Sequence, residues 1–406
     1  MSILVLNGGS STIRFAIFGE GTPLVRRLSG RIERIGLSRP TLSVREGNGE
    51  LRLSFEIDAP NEPVAARSLV KWFGEQKAFE GLQFVGHRVV YGAKHTQPAW
   101  VTTSLLDDLR AASVDDPAHL PGEIALIEAI HLRYPALKQL VCFDTAFHAE
   151  MPIVARQLAI PRRYWDSGVR RHGFHGISYA YLMEELLRLD HPAAATGKII
   201  LAHLGSGASL AAVRNGHSLD TSMGLTPASG LVMGSRSGDL DPGLPGLLAR
   251  TENKTPLQFQ KMIHNESGLL GLSGTSSDMR ELLGIEASDV RAHEAIELFC
   301  YQARKWIGAF AAVLGGLDTL VFTGGIGENA PGIRARICDG LKFLGIELNP
   351  ETNKLSAGTI SKSDCAVTVR VIAADEEQMI ARTVRRTADI RVSEIATVPP
   401  TRTIHT

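Results

Sequence analysis

Residues 3–18 read Ile-Leu-Val-Leu-Asn-Gly-Gly-Ser-Ser-Thr-Ile-Arg-Phe-Ala-Ile-Phe. Two apolar runs flank a short Gly/Ser turn, which predicts a β-hairpin. Residues 199–213, Ile-Ile-Leu-Ala-His-Leu-Gly-Ser-Gly-Ala-Ser-Leu-Ala-Ala-Val, repeat that shape. Two such hairpins about 195 residues apart predict a duplicated domain core, not a solenoid period. A third glycine cluster, Thr323 to Asn329, follows the apolar run Leu320-Val321-Phe322 and precedes a helix start at Pro331. Between these landmarks the pattern is mixed α/β. Residues 122–133 have helical spacing, residues 139–143 read as a buried strand ending at Asp144, and residues 291–316 form a long apolar-rich helix leading into a strand at 319–323. A helix over 375–388 opens with Asp375 as N-cap and Gln378 at N3. From about residue 390 periodicity fades and Pro and Thr accumulate, so residues 390–406 are expected to form a frayed tail.

The 406 residues carry 43 basic and 43 acidic side chains, so net charge is zero. That balance argues against sequence-independent nucleic-acid binding, which draws on excess Lys and Arg, and against a basic membrane-surface protein. No run is long and apolar enough for a membrane span, and the start lacks the positive n-region of a signal peptide. Cys142, Cys300, Cys338 and Cys365 form no CxxC pair. They read as buried thiols of a reducing cytoplasm rather than a disulfide framework or a zinc site.

A phosphoryl-transfer site needs backbone N–H groups around phosphates, a metal on oxygen ligands and cationic donors on the transferred group. Gly-rich strand turns serve the first need, since no Cβ blocks close approach. The turn 7–12 fits, with Asn7, Ser10 and Thr12 and with Arg14 behind it, as does the turn 205–209; each alone also reads as an ordinary hairpin turn. No GxxxxGK[ST] loop occurs, and Gly324-Gly-Ile-Gly lacks the full dinucleotide fingerprint. Arg88 sits inside an apolar strand-like run and Arg236 in a Gly/Ser loop. Either is an anion-gripping fork or half of a structural ion pair. Asp144 stands at a strand end, where α/β proteins place active groups, and His175 lies in Gly173-Phe-His-Gly.

Taken together these motifs resemble the acetate kinases and the related propionate kinases of the acetate and sugar kinase/Hsc70/actin superfamily. The resemblance rests on Asn7-Gly-Gly-Ser-Ser-Thr-Ile-Arg14, Gly86-His-Arg-Val-Val90, Phe143-Asp-Thr-Ala-Phe-His148, Arg171-His-Gly-Phe-His-Gly176, His203-Leu-Gly-Ser-Gly207 and Asp220-Thr-Ser-Met-Gly-Leu-Thr-Pro227. It continues in Gly234-Ser-Arg-Ser-Gly-Asp239, Asp278-Met-Arg280, Phe322-Thr-Gly-Gly-Ile-Gly-Glu-Asn329 and Glu376-Glu377, in family order from residue 3 to about 385. It implies two duplicated actin-like (ribonuclease H-like) α/β domains with an interdomain cleft: domain I over 1–146 with helix 376–389 packing back on it, and domain II over 147–375. It implies a reversible, Mg²⁺-dependent transfer of the ATP γ-phosphoryl group to acetate, and to propionate, in a cytoplasmic homodimer.

Residue roles follow from the same resemblance. Asn7 and Glu376 would hold Mg²⁺. Arg88 and Arg236 would grip the substrate carboxylate and the phosphoryl group, with His175 steadying the latter and Asp144 completing the catalytic set. Val90, Ala118, Phe174 and Pro227 would wall the acyl pocket. Arg14, His203, Leu204, Gly205, Ser206, Gly207, Asp278, Met279, Arg280, Gly325, Ile326, Gly327, Glu328 and Asn329 would bind the nucleotide. Departures from the family pattern include Arg14 for lysine, Ser206 for asparagine, His172 for tyrosine, Asp375 for asparagine and Ala118 for leucine. A small carboxylate is already ionised at neutral pH, since carboxyl groups titrate near ~4. Asp144 is therefore expected to orient Mg²⁺, its waters or an arginine rather than remove a proton. The rivals are a butyrate-type kinase, a non-catalytic nucleotide or acyl-phosphate sensor, and a sugar kinase; retention of the charged set and the paired arginines disfavour the last two.

Overall fold

A computed structural model describes residues 1–9, 11–356 and 358–396. Contacts within the chain divide it into two compact units: Met1–Ala146 with the segment beginning at Asp375, and Phe147–Ala374. Asp375 joins the first unit because its carboxylate caps the last helix, accepting from Gln378 N at 2.9 Å, and pairs with Arg26 at 2.5 Å.

The first unit is built on eight strands: β1 (Ile3–Gly8), β2 (Thr12–Gly19), β3 (Val25–Glu33), β4 (Thr41–Glu46), β5 (Leu51–Glu56), β6 (Phe84–Val89), β7 (Ala99–Trp100) and β8 (Lys138–Phe143), in the order β5-β4-β3-β2-β1-β6-β8-β7. β1 through β5 form an antiparallel meander, while β6 runs parallel to β1 and β8 parallel to β6. Every residue of β1 is buried, as expected where a strand is covered on both faces. On one face Leu4, Leu6, Phe15, Ile17 and Val85 pack with Leu69 and Phe73 of helix Glu62–Gly74 and with Leu126 and Ile130 of helix Leu120–Arg133. Side chains alternate along a strand, so Gly86 faces the other way. A Cβ there would lie 2.5 Å from Ile380 Cγ2 and 2.8 Å from Val384 Cγ2, so the glycine lets helix Glu376–Ala396 press onto the sheet. That helix runs past residue 389. The sequence offers no Pro or Gly to stop it before Pro399, and the rest of the expected tail, from residue 397, lies outside the described residues.

The second unit holds β9 (Lys198–Leu204), β10 (Ala208–Arg214), β11 (His217–Thr221), β12 (Thr319–Thr323) and β13 (Thr368–Val371), ordered β11-β10-β9-β12-β13. β9, β10 and β11 are an antiparallel meander, and β12 and β13 continue parallel to β9. This repeats β3-β2-β1-β6-β8 strand for strand. The duplication expected from the two hairpins is thus a duplicated topology. Helix Gly176–Arg188 packs Tyr179, Leu182 and Leu186 on Ile199, Leu201, Ala211 and Val213. Helix Val290–Leu314 packs against β9, β10 and β11; Asp289 caps its start and Gly315, at φ 68°, ends it. The glycine cluster Gly324–Asn329 is itself a short helix following β12 directly. Among the described residues no helix is long and apolar enough to cross a membrane. Cys142, Cys300, Cys338 and Cys365 are free thiols; burial pushes the first three up to about 12.

Candidate functional site

In the first unit the ends of parallel strands gather one charged cluster. The β1–β6 register sets Asn7 beside Arg88. Asp144 is the first residue after β8 and Glu376 the first of the last helix. Arg88 donates from Nε (3.0 Å) and Nη2 (2.5 Å) to Asp144 Oδ2, and from Nη1 to Asn7 Oδ1 at 3.2 Å. Asn7 Nδ2 donates to Glu376 Oε2 at 2.9 Å, and Glu376 lies 4.0 Å from Arg88 Nε. Burial alone would ease a proton off Arg88, but Asp144, Glu376 and Glu123 outweigh it and hold the guanidinium charged. Asp144 is fully buried.

Two partners of this cluster escaped the sequence reading. Glu123 is 4% exposed, and both its oxygens accept from Val90 N, at 3.1 and 3.2 Å. Burial, opposed by Arg88, pushes its carboxyl up to about 8. A signal existed: Glu123 shares the buried helix face with Ile127 and Ile130, at four- and seven-residue spacing. The other partner is Arg26, which pairs with Asp375 and lies 3.9 Å from Glu377. The extra charge that Asp375 brings beside Glu376 is thereby matched. Glu377 is pushed up, by burial first and then by Glu376.

The remaining predicted residues of this unit spread outward. Arg14 is exposed and stands across from Asn7 in the β1–β2 register. Ser10 lies outside the described residues; Gly9 and Thr12 close the turn, with Gly9 N on Thr12 O at 2.8 Å. Val90 is buried, whereas Ala118 is exposed. Its neighbour His119 bonds Asp116 at 2.8 Å.

The second unit assembles a second cluster around the β9–β10 turn. His175, at φ 59°, begins helix Gly176–Arg188. Its Nδ1 meets Ser209 Oγ at 2.8 Å, and its ring stacks on His203 with centroids 4.3 Å apart. Ser178 Oγ meets His203 Nδ1 at 2.9 Å. Arg236 Nη1 donates to Pro227 O at 2.7 Å. A Cβ on Gly207 would sit 3.1 Å from Arg236 Nη2 and 3.3 Å from His175 Nε2, so both side chains lean over this glycine. Phe174 is buried, and His148 Nε2 meets its carbonyl at 3.1 Å; burial pushes His148 down to about 4.

Backbone contacts join further predicted segments here. Gly234 N donates to Ser206 O at 2.9 Å, and Ser277 O lies 3.1 Å from where a Gly234 Cβ would be. Gly325 N lies 3.8 Å from a Gly205 Cβ position. The stretches 203–207, 234–236, 277–278 and 324–325 therefore converge. Leu204 and Gly327 are buried in the support, while Ser206, Gly325 and Asn329 are exposed and Ile326 half-buried. Three predicted side chains are engaged elsewhere. Met279 is in the core. Arg280 folds back on Asp278 (Nη2 to Oδ2, 2.5 Å), holding that carboxyl below its usual range. Glu328 Oε1 accepts from Gly324 N at 2.9 Å and Ala374 N at 3.0 Å, serving the chain's own backbone.

Among the described residues, no three His, Cys, Asp or Glu side chains cluster as a metal cage. Asn7, Asp144 and Glu376 instead offer hard oxygen donors, two of them carboxylates, in one charged group. That donor set fits Mg²⁺, which is commonly bound by one or two carboxylates and by substrate phosphates.

The sequence matches the acetokinase family over residues 2–382. Acetate kinase of Rhodopseudomonas palustris (strain TIE-1) is 43% identical over 394 residues, covering 95% of this chain and 98% of its own. Acetate kinase of Dictyoglomus turgidum is 40% identical over 392 residues, covering 94% and 96%. Among solved structures, Porphyromonas gingivalis acetate kinase superimposes with TM-score 0.86 at 34% identity, over 95% of this chain and 99% of that one. A propionate kinase from Francisella tularensis does so with TM-score 0.87 at 34% identity, over 94% and 98%.

Proposed function

The chain belongs to the acetokinase family, and from that premise we propose that it transfers the ATP γ-phosphoryl group reversibly to acetate and propionate, giving ADP and the acyl phosphate. Its fold is the duplicated actin-like α/β fold and its class is phosphotransferase with a carboxyl acceptor. The observation carrying the reading is Arg88: a guanidinium at a parallel-strand end, clamped by Asp144 and Asn7 beside the Glu376 carboxylate.

The acceptor arrives ionised, so no base is needed. Arg88 draws the substrate carboxylate by charge, and Asp144 fixes the plane of that guanidinium through two N–H donors to one oxygen. Such prior orientation removes the entropy of aligning the groups at the moment of reaction. Asn7 and Glu376 would hold Mg²⁺, which supplies charge neutralisation on the nucleotide phosphates when bound. Arg236 and His175 present N–H donors over a residue without a side chain, suited to the equatorial oxygens of a phosphoryl group whose charge spreads in flight. The β9–β10 turn at 203–207 and the short helix around 325–329 would take the nucleotide. By the same family reading, two copies associate in the cytoplasm, which sedimentation of the purified protein tests.

Trapping the acyl phosphate with hydroxylamine tests the proposal. Acetate and propionate with ATP and Mg²⁺ should yield hydroxamate, and Arg236→Ala should lower turnover on the order of 10³-fold while ATP binding by calorimetry persists. No hydroxamate from any C2–C4 acid, despite ATP binding, would identify a sensor instead.

A further inference from the structure

Two groups beside His175, Ser209 and Tyr179, were not assigned by the sequence reading. His175 Nδ1 meets Ser209 Oγ at 2.8 Å, and that oxygen is also bonded to Tyr179 OH. Ser209 on β10 and Tyr179, one helical turn beyond His175, are both 0% exposed. From the other side the ring faces His203, with Arg236 Nη2 and His175 Nε2 both near Gly207. Tyr179 is held edge-on to His148, centroids 5.6 Å apart, so its hydroxyl is fixed in place.

We propose that Tyr179 and Ser209 are positioning residues that set the tautomer of His175, keeping Nδ1 an acceptor and placing the ring hydrogen on Nε2. The argument counts hydrogens. A serine hydroxyl has one hydrogen to give and two lone pairs to receive. With Tyr179 donating its O–H to Ser209, the serine hydrogen goes to the remaining neighbour, Nδ1. A neutral imidazole has one N–H, so it then sits on Nε2, on the Arg236 side. The reverse chain, Nδ1–H to Ser209 to Tyr179, would leave Nε2 a bare lone pair, which repels a phosphoryl oxygen. The partner of one ring nitrogen decides the other. His175 acts here as a neutral donor beside the cationic Arg236. This inference rests on the phosphoryl-transfer reading, which chooses between the two chains; the spectrum that reads the tautomer does not depend on it.

The test uses protein labelled with ¹⁵N at its histidine rings, read by long-range ¹H–¹⁵N spectra, with His175→Gln giving the assignment. Wild type should show His175 as the neutral Nε2–H tautomer through neutral pH. Ser209→Ala should mix the tautomers and lower kcat roughly tenfold to a hundredfold, the scale of weakening one transition-state donor, with KM for ATP and acid within about threefold. Tyr179→Phe, which keeps the serine hydroxyl but frees its hydrogen, should give a smaller kcat loss with the same spectral mixing, so the claim survives if Ser209→Ala folds poorly. A wild-type Nδ1–H tautomer or an imidazolium overturns the proposal, as does an unmixed spectrum in Tyr179→Phe. An enzyme that makes no acyl phosphate yet shows the Nε2–H tautomer, lost in Tyr179→Phe, sinks the functional reading and leaves the tautomer assignment standing.

Discussion

Replacing Glu123 with glutamine isolates the electrostatics beneath Arg88. Burial pushes the native carboxyl up to about 8, against 4.5 for an unburied glutamate. At about 1.36 kcal/mol per pH unit, that difference amounts to roughly 5 kcal/mol. Solvent screening does not discount it, because the side chain is 4% exposed. The sign follows from proton counting. Below about pH 4.5 both folded and unfolded chains carry the proton, and the group has no pH effect. Between about 4.5 and 8 the folded chain keeps the proton and the unfolded chain has lost it, so stability falls as pH rises. Above about 8 the penalty is complete. Glu123→Gln keeps a carbonyl acceptor for Val90 N and removes the titration. Urea unfolding across about pH 5 to 8.5 reads the effect. In a Trp165→Phe/Trp306→Phe background, Trp72 and Trp100 report the first unit alone. The variant should grow more stable than its parent as pH rises, by several kcal/mol at the alkaline end. Parallel curves for variant and parent would mean that Arg88 keeps Glu123 ionised throughout, and the argument from burial would be refuted.

Other perturbations follow from the same geometry. Glu376→Ala should raise the Mg²⁺ concentration needed for half-maximal activity; an earlier melt with unchanged Mg²⁺ response would make the residue a helix-end carboxylate only. Gly86→Ala should destabilise the first unit by about 1–3 kcal/mol through overpacking against Ile380 and Val384, and Val384→Ala in the same chain should restore part of the loss in thermal melts. Propionate should match or exceed acetate in kcat/KM, since each buried CH₂ gains about 0.8 kcal/mol. Ala118→Leu should shift that ratio toward acetate, and an unchanged ratio would remove position 118 from the acyl wall.

Local pattern made parts of this fold legible. The hairpins at 3–18 and 199–213 announced β1–β2 and β9–β10 because both strands of each are apolar enough to be buried. Asp375 announced the last helix through its side-chain cap, though Gln378 turns its own amide to Leu24 O instead of closing the box. Strands β3 to β5 were not read, because their exposed, charged positions blur the alternation. In the site, motif residues stood out where glycines crowd a side chain. Glu123, Ser209 and Tyr179 did not, because their meaning lies in which atoms the tertiary fold sets beside Val90 N or His175 Nδ1. The helix over 324–329 was hidden by its glycines, which local propensity assigns to a loop, whereas the inward carboxylate of Glu328 ties its start to the end of β12.

The first unit is discontinuous, and the ribosome makes its last piece last. The sheet face at Gly86 is covered by a helix that begins at Glu376, after the whole second unit has been synthesised. At about 5–20 residues per second, translating Phe147–Ala374 takes on the order of ten to fifty seconds. For that interval the nascent chain carries an apolar sheet face with no lid, and Asn7 and Arg88 have no Glu376. The second unit, continuous in sequence, can complete its own core first. A ribosome stalled anywhere before the last helix thus yields a chain whose charged cluster is unfinished, however long that chain has become.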